Sequence, residues 1–185
     1  MRTIAMKYFH SLNLFLLILF LLPNWAMAEN VEVVLIDKLD GNLSGYCLDI
    51  VGGGQNINPD NGLQAHTCYS YRGELGSDQA IDSSGIAKGV FRLPAFDVCA
   101  TLPSLDSGTT VSLEECNNSD QQKFNFSDNG NISPSKDSDM CLTVGKESKF
   151  GRNGTSPHQI KSLSLEPCEP ELAAYQQWRF RSEAD

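Results

Sequence analysis

The sequence predicts an all-β domain made of three similar units closed around a threefold axis. Three observations carry that expectation. Short β-like segments alternate with turn residues, one order of motifs recurs three times, and six cysteines fall in pairs within that order.

The β-like segments span 31–36, 89–93, 123–126 and 177–180 and are rich in branched or aromatic residues. Turn clusters such as Asp40-Gly41-Asn42, Gly52-Gly53-Gly54 and Asp128-Asn129-Gly130 separate them. No long amphipathic helical pattern competes. The stretch from Glu171 to Gln177 is weakly helical and short enough to be a turn within a loop.

The first unit holds Tyr46-Cys47-Leu48-Asp49-Ile50, then Gly62 to Cys68, then Gln79-Ala80-Ile81. The second holds Val98-Cys99-Ala100-Thr101-Leu102, then Val111 to Cys116, then Gln122-Lys123-Phe124. The third holds Met140-Cys141-Leu142-Thr143-Val144, then Leu163 to Cys168, then Gln176-Gln177-Trp178. Each is a strand opening with Cys, a strand ending in Cys, and Gln-x-apolar. A glycine turn follows the third element, at Gly85-Ile86 and at Gly130-Asn131-Ile132. The units run over about 31–83, 84–127 and 128–185.

Six cysteines allow fifteen pairings, and composition cannot choose among them. The repeat does: Cys47 with Cys68, Cys99 with Cys116, and Cys141 with Cys168. Each bridge closes a local loop worth roughly 3 kcal/mol on chain-entropy grounds. A single unit cannot bury its apolar face. Three units can, with Ile81, Phe124 and Trp178 meeting in a shared core, and barrel closure removes exposed strand edges. The strand at 31–36 then pairs near the strand that starts at Trp178, so the two ends meet.

Residues 1–28 read as a secretory leader. Arg2 and Lys7 precede nine consecutive apolar residues, Leu14 to Leu22, and Ala26-Met27-Ala28 supplies a cleavage signal. The run falls short of the roughly 20 residues that span a bilayer, so no membrane insertion is expected. The mature chain runs from Glu29 to Asp185 as one domain, secreted or periplasmic, where disulfides persist. Removing Arg2 and Lys7 leaves 12 basic against 23 acidic residues, a balance of −11. Such a surface repels nucleic acid, anionic lipid and polyanionic sugars, and leaves neutral saccharides open. No CxxC pair occurs, and His66 and His158 are the mature histidines, so no metal or cofactor is expected.

The Cys-Leu-Asp-Ile start, the Gln-x-His-x-Cys strand and the three in-phase Gln-x-apolar motifs resemble the ricin B-type lectin repeat, over about 33–181. The resemblance implies a β-trefoil with pseudo-threefold symmetry, carbohydrate binding and no catalysis. It also implies a sugar site in the first unit. Asp49 takes the place of the carboxylate that accepts from two hydroxyls, and Gln64 that of the amide. His66 stands where a ring packs against the sugar, and Asp78 with Gln79 forms the polar pair of the Gln-x-apolar motif. His66 replaces a larger ring, and Tyr69 or Tyr71 could supply one. The second and third units carry Thr101 and Thr143 for the acid, Ser112 and Ser164 for the amide, and Glu114 and Glu166 for the ring. These two units are expected to be silent.

The partner expected first is therefore a neutral saccharide or glycan. A protein partner on a trefoil scaffold without sugar binding is the alternative. Hydrolase chemistry finds no support, because no Gly-x-Ser-x-Gly or His-Glu-x-x-His motif occurs.

Overall fold

The computed structural model of the chain describes residues 29–72 and 75–182. The expected leader lies outside the described residues. Among the described residues no helix is long and apolar enough to cross a membrane.

The first unit supplies β1 (Asn30–Leu35), β2 (Tyr46–Ile50), β3 (Leu63–Thr67) and β4 (Ile81–Asp82). The second supplies β5 (Arg92–Leu93), β6 (Val98–Thr101), β7 (Ser112–Glu115) and β8 (Phe124–Phe126). The third supplies six strands: β9 (Ile132–Pro134), β10 (Met140–Val144), β11 (Lys149–Phe150), β12 (Gln159–Lys161), β13 (Leu163–Pro167) and β14 (Trp178–Arg181).

In every unit the two cysteine-bearing strands form an antiparallel pair: β2 with β3, β6 with β7, and β10 with β13. Period-two alternation sends one set of side chains inward. Leu48, Ala100 and Leu142 are buried at equivalent positions, as are Ile50, Leu102 and Val144. The partner strands bury Ala65, Leu113 and Leu165. Ile81, Phe124 and Trp178 join all of these in one continuous core, as the repeat predicts. Each large side chain so enclosed contributes about 1.5–3 kcal/mol. The Trp178 indole keeps its N–H satisfied by donating to the Leu142 carbonyl at 3.0 Å.

Closure follows the units. β8 pairs with β9, and β14 pairs with β1 from Leu35↔Trp178 to Glu32↔Arg181. The first and last described strands therefore meet. Cys47–Cys68, Cys99–Cys116 and Cys141–Cys168 are bridged within their own units, at sequence separations of 21, 17 and 27.

Two local expectations change. The glycine equivalent to Gly130 is Gly89, not Gly85. The Gly89 carbonyl accepts from the Phe124 N–H, as the Gly130 carbonyl accepts from that of Trp178, both at 2.8 Å. Gly85 instead lies in the helical turn Ser83–Ile86, and the bonds from Gly89 and Val90 back to that turn shorten the expected strand to Arg92–Leu93. The weakly helical stretch near the C-terminus is a pair of short turns, Pro170–Leu172 and Ala173–Gln176.

Threefold symmetry breaks at β11 and β12. These strands pair with each other, and β12 then joins the edge of β3, through Ile160↔His66 and Lys161↔Ala65. The longest Cys-to-Cys loop, that of the third unit, thus reaches across to the first.

Candidate functional site

The site is built on the face of β2 and β3 that points away from the core. The register sets Asp49 opposite Gln64 and Cys47 opposite His66. Gln79 arrives from the turn before β4. All five residues singled out in the first unit come together, in a definite hierarchy.

Asp49 lies deepest, at 0% exposure. One carboxylate oxygen accepts from Gln64 Nε2 and the other from Gln79 Nε2, each at 2.8 Å. Burial pushes the Asp49 carboxyl well above the usual carboxylate range. The nearby charge of Asp78 pushes it further, against the pull of the two amides. Burial also raises Asp78. The main-chain carbonyl of Asp78 accepts from the Ile50 N–H at 3.1 Å, tying its turn to the end of β2.

Gln79 is likewise fully enclosed. Its Nε2 also donates to the Thr67 carbonyl at 3.0 Å, and its Oε1 accepts from the Tyr69 N–H at 2.9 Å. The other units repeat this pattern. Gln122 donates to Thr101 Oγ1 and the Glu115 carbonyl and accepts from the Asn117 N–H. Gln176 does the same with Thr143, Pro167 and Glu169. The glutamine of the motif is thus a brace, and Asp49 takes the bracing position held by Thr101 and Thr143.

Gln64 and His66 lie nearer the surface, at 7% and 5% exposure. His66 Nδ1 lies 2.9 Å from the Thr67 carbonyl. A carbonyl can only accept, so Nδ1 carries the proton. The same nitrogen is 3.9 Å from Asp49. Tyr69, one of the two expected supplementary rings, packs on His66 with centroids 5.3 Å apart. The side chain of Tyr71 lies outside the described residues.

His158, which sequence reasoning assigned no role, completes an aromatic trio. Its ring stands edge-on to His66 at 5.3 Å and to Tyr69 at 5.5 Å. It is delivered by the loop between β11 and β12. That loop, with the glycine-rich loop after β2, encloses a cleft of about 560 Å³. The walls include Gln55, Asn56, His66, Arg152, Ser156 and His158. Arg152 and Asn153 both take left-handed backbone conformations, φ 51° and 52°. Such geometry costs a side-chain-bearing residue about 1–2 kcal/mol, least for asparagine. The sequence signal for this wall was the ten-residue excess of the third Cys-to-Cys separation over the second.

A polar clasp seats the hairpin. Gln159 accepts from the Asn42 N–H at 2.9 Å and donates to the Asp40 carbonyl at 3.0 Å. The Lys161 ammonium is 3.0 Å from Asp40 and 5.4 Å from the centre of the Tyr46 ring. Tyr46 and Ser148 also donate to Asp40. These partners outweigh the effect of desolvation and lower the Asp40 carboxyl to about 2.

In the other two units the corresponding groups satisfy one another. Ser112 Oγ donates to Glu114 at 3.2 Å, and Ser164 Oγ donates to Glu166 at 2.7 Å. Their matched Ser and Glu residues, two apart on one strand face, thereby gain a physical reason. Among the described residues, Glu32, Cys47 and Cys68 are spaced closely enough for metal ligation. Both sulfurs lie in the disulfide, so the group offers no thiolate.

Comparison with known proteins agrees with this frame. The ricin-type beta-trefoil lectin domain matches residues 37–153 and 88–185, and the chain belongs to that family. The designed threefold-symmetric protein ThreeFoil superposes with a TM-score of 0.54 at 14% identity, covering 82% of this chain and 97% of that one. The β-trefoil lectin of Vibrio vulnificus hemolysin/cytolysin, solved with N-acetyl-D-lactosamine, gives 0.51 at 17% identity over 85% and 96%. A mutant earthworm lectin C-terminal domain, solved with 6'-sialyllactose, gives 0.51 at 17% identity over 83% and 98%. At such identities the likeness is one of fold. No curated protein sequence matches the chain.

Proposed function

We propose that the chain is an exported carbohydrate-binding module with one sugar site, the cleft of the first unit, and no catalysis of its own. The observation that carries this reading is the cleft itself. On a lectin-family fold, the first-unit position holds two imidazole rings beside the polar side chains of Gln55, Asn56, Arg152 and Ser156. Rings pack against the C–H face of a sugar, and amides and hydroxyls serve its oxygens. His66 acts at the inner wall, with Gln64 bonded to Asp49 behind it. Asp49, Asp78 and Gln79 act beneath it, fixing the rotamers of the groups above. Three disulfides and the expected leader support a site of action outside the reducing cytosol.

A shallow, wet cleft of this kind gives millimolar to micromolar affinity, about −4 to −8 kcal/mol. The test is a glycan array on the purified chain, followed by titration of the best ligand into the wild type and into His158→Ala and Asn56→Ala. Both positions lie in loops, so the unfolding midpoint should hold while affinity drops at least about tenfold. Saturable binding with wild-type affinity in both variants would place the sugar elsewhere.

A further inference from the structure

We infer that the cleft takes a saccharide bearing a carboxylate, such as a terminal acidic sugar, rather than a wholly neutral one. The inference rests on the cleft being the sugar site and names the class of ligand.

The chain is strongly acidic, with a formal net charge of −9. Yet none of the described residues lining the cleft is Asp or Glu, while Arg152, His66 and His158 all line it. Arg152 makes no ion pair with a described residue, as is true of several exposed lysines such as Lys38, Lys88 and Lys149, but among the described residues lining the cleft it is the one Lys or Arg. The backbone that presents this guanidinium is unusual as well. Arg152 and the residue after it both sit in the left-handed region, held at the tip of a hairpin whose root is pinned through Gln159 and Lys161. An exposed cation in a strained turn, set against two rings and two amides, matches a sugar that carries one planar anion.

A guanidinium meets a carboxylate through two parallel N–H donors, a match that a single hydroxyl cannot offer. Ring faces and the amides of Gln55 and Asn56 remain for the rest of the sugar. The acidic surface does not forbid this. At physiological salt, charges beyond about 8 Å are largely screened, so one carboxylate in the cleft responds first to Arg152. Asp49, 3.9 Å from His66 Nδ1, lies beneath the wall with its carboxyl pushed toward the neutral form by burial. A polyanionic chain would lie across the acidic surface and be repelled.

The experiment uses matched glycan pairs with the purified chain. One pair ends in a hexuronic acid and its carboxyl-reduced neutral counterpart. The other ends in a nine-carbon sialic acid and its carboxylate amide. The expected result is that the acid of at least one pair binds about tenfold or more tighter than its neutral partner. The pair that discriminates identifies the source. In Arg152→Gln the acid-to-neutral ratio should fall to about one, and in Arg152→Lys it should stay between the two. Equal binding within both pairs, or discrimination that survives Arg152→Gln, overturns the carboxylate while leaving a sugar site in place. Absence of binding by every member of both pairs overturns the carboxylate, and a blank glycan array besides, in a chain with a normal unfolding transition, overturns the sugar reading as well.

Discussion

Asp49 is the residue on which the first unit turns. Its carboxylate anchors two amides in a place that water does not reach. In Asp49→Ala, Gln64 Nε2 loses its acceptor and Gln79 Nε2 keeps only the Thr67 carbonyl. Stability should fall by about 1–3 kcal/mol in urea unfolding, since a buried donor left unpaired carries its full desolvation cost. Asp49→Thr should recover part of that loss, because Gln122 and Gln176 already bond threonine hydroxyls. The carboxyl also sets a pH dependence. Its folded value lies above the ordinary 3.8, so the folded state holds the proton more tightly than the unfolded chain does. Its contribution to stability therefore rises as pH falls from the folded value toward 3.8. Asp49→Asn should lack that rise when melting temperatures are compared between neutral pH and about pH 4. Asp40 has the opposite sign, with its folded value near 2 below 3.8. Its contribution is complete above 3.8 and is lost as pH falls through about 2. Half-exposed, it is worth about 1 kcal/mol after screening. Asp40→Asn should lose that much at neutral pH and show less acid sensitivity.

At the scale of the element, the repeat is held together by a backbone contact that spacing alone did not locate. Gly89 (φ +73°) and Gly130 (φ +92°) each bring a bare Cα against the main chain of the Gln-x-apolar strand. A Cβ on Gly89 would lie 2.4 Å from the Phe124 carbonyl oxygen. Gly89→Ala should therefore destabilise the protein by more than the roughly 1 kcal/mol ascribed to left-handed strain, because the strand itself must shift. A urea midpoint unchanged by this substitution would contradict that packing. In the first unit β1 runs regular through this point, and Val31 pairs with Ile81 where the glycines stand elsewhere. The hairpin of β11 and β12 is the other departure. It gives up threefold equivalence and supplies half the walls of the cleft.

For the whole molecule, the decisive contact is where the ends meet. Glu32 is fully buried and accepts from Arg181 Nε at 2.9 Å and Nη2 at 2.7 Å. It also accepts from the Ser70 N–H, so the pair ties β1, β14 and the segment after β3 together. Removing the guanidinium strands a buried carboxylate. Arg181→Ala should cost about 3–5 kcal/mol in urea unfolding. Arg181→Lys should recover only part, because an ammonium cannot reproduce two directed bonds from a planar fork. A loss below about 1 kcal/mol for the alanine variant would show that closure does not depend on this pair.

The repeat could be read without coordinates because it is written in residue type. Cysteine, glutamine and a large apolar residue recur in phase, and three units that cannot each bury a core must share one. Pairing of the cysteines, the shared burial of Ile81, Phe124 and Trp178, and the meeting of the ends followed from that order. The set Asp49, Gln64, His66, Asp78 and Gln79 followed from the family resemblance, and strand register accounts for the first three, by pairing Asp49 with Gln64 and Cys47 with His66. Depth did not follow, because whether a carboxylate faces water depends on which amides fold over it. The partnership of His66 with His158 and Arg152, 92 and 86 positions further along, was equally hidden. Sequence thus determined the strands, the disulfides and the threefold core, all of which arise from local pattern and its repetition. Tertiary structure alone decided how the cleft of the first unit is walled and what charge lines it, because those depend on a hairpin of the third unit adding to the free edge of a strand in the first.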